Sequence, residues 1–465
     1  MLADDKVISI TKDLRNRHRA ELVDLDRVYD FVRGTRGVPY VPEGARKDLK
    51  VIAKLAVKNV LSLVEESFTQ SLSVVGFRTS EAQEDAPAWE LWQKQRMDAR
   101  QQEVHRPAIR YGAAYVVAEK QNGTSVWRPR SPRQVFAVYE DAQVDEWPIY
   151  ALETWVDRTS KDPVRRGLLF DATHAYPVIL GAVATDGRGD VPLSREAMNQ
   201  VTIDPDRKPR PHGGDGVCPV VRFVNDRDAE DLVRGEIAPL ITDQLAINEV
   251  NYDRLTVSRF GAHVQKYFLG FDTDSTTLQK MGAQEVMALA DPEIRAGAFP
   301  ASPVEPYNSI LLEMMEHVAN RAQIPTRDVT GKMVNLSAEA LAAADAMQQR
   351  KLNAKRESFG ESWEQLLRIG AQQSNIDFDD AAEALWLPTE IQSYQGKVDG
   401  ITKLAASGVS IVDLIDDIPG WSEQRKQAAK KAAGEGADIL GTLDALGSAG
   451  LIGRGDTGGD NSTRD

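Results

Sequence analysis

The chain has 465 residues, 42% of them hydrophobic and 27% charged, which excludes a fibrous or disordered composition and allows roughly two to four domains around a sizeable core. Its net charge of −14 argues against a broad basic face that grips nucleic acid, but an acidic wall past which DNA slides is compatible with it. No apolar run reaches the length of a membrane span, and the N-terminus "MLADDKVISITKDLRNRHRAEL" has acids where a signal core would be apolar, so cytoplasmic synthesis is expected. A single cysteine, Cys218, removes any internal disulfide or multi-thiolate metal site, and its apolar neighbours in "GVCPVVRFV" predict a small buried hydrophobe.

In chain order, the region up to about residue 110 reads as helical. In "ELVDLDRVYDFVRG", Leu22, Leu25, Tyr29 and Val32 share one face and Gly34 stops the helix. "KVIAKLAVKNVLSLVEESFTQSL" places Ile52, Ala56, Val60, Val64 and Phe68 every fourth position, which predicts one helix with a buried stripe. "AWELWQKQRMDARQQEVHRPAIRYG" predicts another, interrupted at Pro107. A β-rich stretch follows. "AAYVVAEKQNGTSVWRPR" is a hairpin about Asn122-Gly123, and "RQVFAVYE", "PIYALETW" and "RGLLFD" continue as an antiparallel meander. "DPDRKPRPHGGDG" (204–216) reads as a linker, and "VCPVVRFV" as one more buried strand.

From about Glu230 a helix of roughly thirty residues is predicted, with Ile237, Leu240, Ile241 and Leu245 as its ridge. After a turn-rich stretch at 261–305 comes the helix "YNSILLEMMEHVANRAQ", with Ile310, Leu311, Met314, Met315 and Val318 at helical spacing, ended by Pro325. A Gly-Lys loop then opens onto a very long helix from Ser337, a plausible N-cap, to about residue 372. An acidic, aromatic stretch "NIDFDDAAEALWLP", short C-terminal helices and a Gly-rich tail complete an α+β chain without internal repeats.

Chemical motifs are scarce. "TGKM" resembles a phosphate-binding loop, but G-x-x-x-x-G-K-[ST] fails at Thr326 and at Met333. His18, His105, His174, His212, His263 and His317 never fall at metal-ligand spacing, and no nucleophile elbow occurs. Asp379-Asp380, Asp416-Asp417 and the tripeptide Arg454-Gly455-Asp456 read as solvated or incidental. No catalytic residue, metal or cofactor is expected. Arg350, Lys351, Lys355 and Arg356 form a basic cluster on the long helix. A solvated face neutralised by Asp345 and Glu357 is the preferred reading, and DNA contact the secondary one.

Three stretches in order resemble the portal proteins of tailed bacteriophages, of the type found in long-tailed siphophages. They are "AIRYGAAYVVAEKQNGTSVWRPRSPRQVFAVYED", "PVVRFVNDRD" followed by "GEIAPLITDQLAINEVNYDRL", and "MVNLSAEALAAADAMQQRKLNAKRESFGESWEQLLRI". The likeness covers nearly the whole chain. It implies the portal fold and a dodecameric ring at one capsid vertex, without enzymatic activity. Double-stranded DNA would pass through this ring independently of sequence. The implied division is a wing at 1–228, stem helices at 229–260 and 306–323 with a clip at 261–305 between them, a tunnel loop at 324–336, a long tunnel helix returning into the wing at 337–388, and a crown with a tail at 389–465. The implied channel residues are Thr330, Gly331, Lys332, Met333, Val334 and Asn335. The implied partners are the major capsid protein, the scaffolding protein, the large terminase subunit and a head–tail adaptor, with no membrane, and the implied location is the virion. A packaging ATPase subunit or a non-viral helical scaffold is the alternative. On the residues themselves, the alanines at 338, 340 and 342–344 allow close helix approach, and Phe359, Trp363, Leu366 and Leu367 would anchor the helix's far end.

Overall fold

The computed structural model describes residues 1–79, 86–159, 161–186, 189–192, 199–261, 266–269, 295–298, 302–332, 338–377, 379–389, 394–415, 418, 425 and 428–430. Two compact units divide the chain, one of Met1–Val334 with Asp345–Thr389 and the other of Asn335–Ala344 with Glu390–Asp465.

Helix α1 spans Asp4–Val32, with Gly34 just beyond it at a φ of 65°. The expected stripe from Ile52 to Phe68 is buried throughout, but it belongs to two helices, α2 (Lys47–Leu55) and α3 (Leu61–Thr69). The break at 56–60 has a tertiary cause, described below. Strand β1 (Val74–Arg78) precedes α4 (Ala86–Lys94), α5 (Met97–Arg100) and α6 (Gln102–Tyr111). Pro107 sits inside α6 and does not end it. The interruption lies at Arg96, left-handed with a φ of 56°. There the Gln95 side chain donates to Ser125 O (2.7 Å) and accepts from Trp127 N (3.0 Å), tying the turn to a strand that local sequence cannot foresee.

The hairpin forms as expected between β2 (Ala113–Gln121) and β3 (Thr124–Arg130). Asn122 and Gly123 both take positive φ, 51° and 82°, as a type I′ turn requires. The meander is β4 (Val135–Val138), β5 (Tyr150–Asp157), β6 (Val164–Phe170) and β7 (His174–Asp186), with β8 (Gly189–Pro192), β9 (Thr202–Ile203) and β10 (Arg210–Pro211) all pairing with β7. The sequence reading missed β7, which carries Pro177 within it. Its register against β6 also slips near Gly181, whose φ of 98° marks a bulge. The stretch at 204–216 is no free linker. Its Arg210–Pro211 pairs with β7, and buried His212 donates through Nε2 to Asp171 O at 3.0 Å while Nδ1 accepts from Gly214 N at 3.0 Å.

Strand β11 (Val220–Val224) joins β2 and β3 in a three-stranded sheet. One face of the meander packs Phe136, Leu152, Leu169 and Val178 against Val7 and Leu14 of α1. Its other face packs Val135, Ala151 and Phe170 against Val117, Cys218 and Val220. Cys218 is thus the buried hydrophobe expected, and burial pushes its thiol well above the usual range. Charges caught between the sheets are paired. Arg128 bridges Glu119 (2.9 Å) and Glu153 (3.2 Å), and Arg130 meets Glu153 at 2.6 Å.

A 3-10 turn at Ala238–Leu240 leads into α7 (Ile241–Gly261), shorter than the thirty residues expected because residues 230–237 are not helical. Ile237, Leu240 and Ile241 are buried, whereas Leu245 is exposed. Strands β12 (Lys266–Leu269) and β13 (Arg295–Ala298) pair antiparallel, and the rest of the 262–301 segment lies outside the described residues. Helices α8 (Glu305–Ala322), α9 (Thr326–Thr330) and the 37-residue α10 (Ala338–Ser374) follow, and then β14 (Glu383–Trp386), which pairs with β1. The far end of α10 is anchored as expected: Phe359, Trp363, Leu366 and Leu367 are fully buried, with Trp363 edge-on to Trp92 (4.8 Å) and Phe223 (4.6 Å). The other unit contains α11 (Tyr394–Ala406) and α12 (Ile411–Leu414), with Leu414 and Ile415 buried. Ser337, His263, the pair Asp416-Asp417 and Arg454-Gly455-Asp456 lie outside the described residues.

Candidate functional site

The segment between α8 and α10 is built from the helix ends inward. Helix α8 stops at Gln323, left-handed with a φ of 61°, and Pro325 starts α9, so the expected loop opens with a helical turn. Three ties fix that turn to the body. Val329 is buried, Ser67 Oγ donates to Asp328 Oδ2 at 2.7 Å, and Arg327 Nη2 donates to Asp345 Oδ2 at 2.7 Å. Gln348 Nε2 donates in turn to Ser67 Oγ at 2.7 Å, so α3, α9 and α10 share one hydrogen-bonded chain. Thr330 Oγ1 donates to Thr326 O (2.9 Å), and Gly331 ends the turn at a φ of 68°. A Cβ there would meet nothing, so Gly331 supplies backbone conformation rather than space. Lys332 follows, exposed and without an ion pair among the described residues. Met333, Val334 and Asn335 lie outside the described residues. What is described is a pinned turn that presents an exposed ammonium at its end.

The basic cluster on α10 is arranged differently from the solvated face expected. Arg350 is exposed, but Lys355 is 2% exposed and Lys351 is turned inward. Lys351 Nζ lies 2.5 Å from Glu236 Oε2, and Lys355 Nζ lies 2.6 Å from Glu236 Oε1. Lys355 also donates to Asn225 Oδ1 at 2.5 Å, and Lys351 to Ala322 O, at the end of α8, at 3.2 Å. Both ammoniums lie near the Phe68 ring, at 5.1 and 5.3 Å from its centroid. Burial alone would raise the Glu236 carboxyl. The two ammoniums outweigh it and hold that group below the usual carboxylate range. Arg356 donates to Thr389 Oγ1 at 2.6 Å, and Asp345 serves Arg327 rather than the cluster. Lys351, Lys355 and Arg356 are therefore committed within the subunit. The node joins the loop before α7, the end of α8 and the middle of α10, which is where the chain turns toward Lys332. Sequence reasoning missed Asn225 and Glu236 as its members. Asn225 and Glu236 both stood in quoted stretches, but Glu236 lies 119 positions from Lys355, so no local pattern joins them.

Among the described residues no group of His, Cys, Asp or Glu side chains is placed to hold a metal ion. His105 and His212 are buried, His18 is 3% exposed, and His317 is exposed on α8.

Residues 74–438 match the family model for the phage portal protein, SPP1 Gp6-like. The chain belongs to the phage portal family. A portal protein of Mycobacterium phage D29 is 23% identical over 424 residues, which is 82% of this chain and 80% of that protein. One of Mycobacterium phage L5 is 26% identical over 256 residues, 50% of this chain and 52% of that protein. A solved neck of an empty gene transfer agent particle aligns with 85% of this chain and 96% of its own at 12% identity and a TM-score of 0.45. A phage portal role follows from family membership, and a packaging ATPase is not favoured. Within this portal chain α8, α9 and α10 all fall in the matched range, while α1 to α3 precede it. No described helix is long and apolar enough to cross a membrane.

Proposed function

We propose that the chain is the repeating subunit of a dodecameric ring at one vertex of a phage head, through which double-stranded DNA is packaged and later ejected. The observation that carries this reading is the α7–α8 pair. Arg321 meets Asp243 at 2.7 Å and Arg254 meets Asn308 at 3.2 Å, so the helices run antiparallel. Beyond Asn251 on α7 and before Leu311 on α8 no residue is buried. An arm of about 15 Å, at 1.5 Å per residue, thus runs beyond the last buried side chains of the pair, flanked in its own subunit by α2, whose Arg46 lies over the Phe260 ring. It carries Leu255, Val257, Phe260 and Ile310 half-exposed or exposed. A solitary subunit leaves these apolar side chains partly wet, whereas neighbours in a ring cover them.

On this reading 1–228 is the wing, 229–260 and 306–323 are the stem helices, 261–305 is the clip and 324–336 is the tunnel loop. The span 337–388 is the tunnel helix with its return into the wing, and 389–465 holds the crown. Lys332 is the residue placed against passing phosphates, at the end of a pinned turn. A few cations at a constriction guide DNA, whereas many would hold it through counterion release. Terminase and then a head–tail adaptor dock at the clip, capsid and scaffolding proteins surround the ring, and the assembled protein resides in the virion. Negative-stain microscopy of the purified chain tests the reading. Rings with a central hole are expected, and a monodisperse monomer or dimer under every condition overturns it.

A further inference from the structure

Two charged surface faces flank α7. Helix α2 packs its Ile52 and Ala53 inward and turns Lys47, Lys50, Lys54, Val51 and Leu55 to solvent, with Lys58 just beyond. Val51 and Leu55 are 57% and 69% exposed, and among the described residues none of these four lysines is in an ion pair. Helix α8 buries Leu311, Met315, Val318 and Ala322 and turns Glu305, Glu313 and Glu316 directly outward, with Ile310 at 45% exposure and half-buried Met314 beside them. No ion pair holds those three carboxylates among the described residues either. One face is basic around an apolar centre, and the other is acidic beside one.

The two helices sit on different faces of α7, at the same stretch of it. Helix α2 is registered by Arg46 over the Phe260 ring (5.5 Å) and by Asn251 donating to Ala56 O (2.8 Å), so it runs antiparallel to α7. Helix α8 is registered by Arg254 against Asn308 and Asp243 against Arg321. The contacts to α2 and its extension come from Gln244, Asn248 and Asn251, and those to α8 from Asp243 and Arg254, roughly a quarter turn or more apart around the helix. A cyclic assembly needs two different, mutually complementary faces on each copy. A two-fold dimer through either face would instead set like charges together.

Resting on the ring reading above, we infer that the basic face of α2 in one subunit seats on the acidic face of α8 in the next, a second copy of this chain being the occupant of both. Lys50 and Lys54 with Glu313 and Glu316 supply the charge pairing, and Val51, Leu55, Ile310 and Met314 the apolar contact.

The test uses the full-length chain in two variants, Lys50→Glu with Lys54→Glu, and Glu313→Lys with Glu316→Lys. All four positions are exposed, so each variant subunit should fold, and circular dichroism melting checks this. Light scattering and negative stain read assembly. Each variant alone should raise the concentration for half-maximal ring formation at least tenfold. Mixed in equal amounts the two should form rings again, because reversed α2 faces meet reversed α8 faces in alternation around an even-numbered ring. Variants that assemble like the unmodified chain overturn the inference while the ring reading stands. Variants that fail alone and also in mixture overturn it too, since the defect then does not lie in charge matching. An unmodified chain that forms no ring overturns the ring reading itself.

Discussion

Lys355 keeps its ammonium in a nearly dry site because Glu236 and Asn225 both accept from it and Lys351 shares the carboxylate. Lys355→Met strips Glu236 of one of two cations, and breaking one side of a buried pair costs about 3–5 kcal/mol. The urea midpoint should fall accordingly. Arg350→Met, at an exposed position on the same helix, should change stability by no more than about 0.5 kcal/mol. Equal shifts for the two would show that the node contributes nothing special. His105 gives a pH dependence. Its Nδ1 donates to Leu72 O at 3.2 Å and its Nε2 accepts from Trp363 Nε1 at 3.0 Å, and burial pushes the imidazole down to about 3. The unfolded chain, at about 6.5, binds the proton more readily than the fold does. The stabilisation is therefore complete above about pH 6.5 and is lost on acidification toward about 3, at up to about 1.4 kcal/mol per pH unit. His18 and His212, also lowered by burial, add in the same direction. Urea melts from pH 7 to 4 should show a slope that His105→Phe reduces by about one proton, and an unchanged slope would count against the assignment. Cys218 was legible because the apolar run around it already marks a buried stretch, whatever packs on it. Lys351 and Lys355 were not, because their partners arrive from far along the chain.

At the scale of elements, Gln244, Asn248 and Asn251 explain why a regular apolar stripe yields two helices. These amides, one to two turns apart on α7, are buried. Gln244 Oε1 accepts from Val60 N at 2.9 Å, Asn248 Oδ1 accepts from Lys58 N at 3.0 Å, and Gln244 Nε2 donates to Lys58 O at 2.6 Å. They supply the hydrogen bonds that a continuous helix would have made for itself, so the chain opens at no net loss of partners. Gln244→Leu removes the acceptor of Leu61 N (3.3 Å) and leaves Val60 N and Lys58 O only each other (2.8 Å), at about 1–3 kcal/mol per group left short of a partner. A drop of about 3 kcal/mol or more is expected in denaturant unfolding. The exposed neighbouring change Leu245→Ala should be close to neutral, and the reverse ranking would refute the role given to the amides. The long helix, the hairpin and most of the meander could be read from periodicity, since those patterns are internal to each element. The α2–α3 break, the turn at Arg96, β7 and the β1–β14 pair could not. Each depends on a group from elsewhere or on a bulge that disrupts alternation.

For the molecule as a whole, the portal family and the α+β class were legible from the order of stretches across the chain. The proposed role of Lys332 belongs at this scale. Lys332→Asp should leave ring formation intact, since the residue is exposed and has no ion pair among the described residues, and should lower the DNA content of assembled heads. Mutant heads with wild-type genome content would remove Lys332 from the mechanism.

The arm has an evolutionary consequence. Gly261 and Glu305 stand at the tips of α7 and α8, beyond the last side chains that the core buries. On the proposed division of the chain, the connector between them can change in length between lineages without touching the side chains that α7 and α8 bury. On that reading, selection on a docking partner at that end is thereby uncoupled from selection on folding. A chimera carrying a foreign connector between those two residues should retain the parent's urea midpoint while changing which neck or motor proteins it accepts.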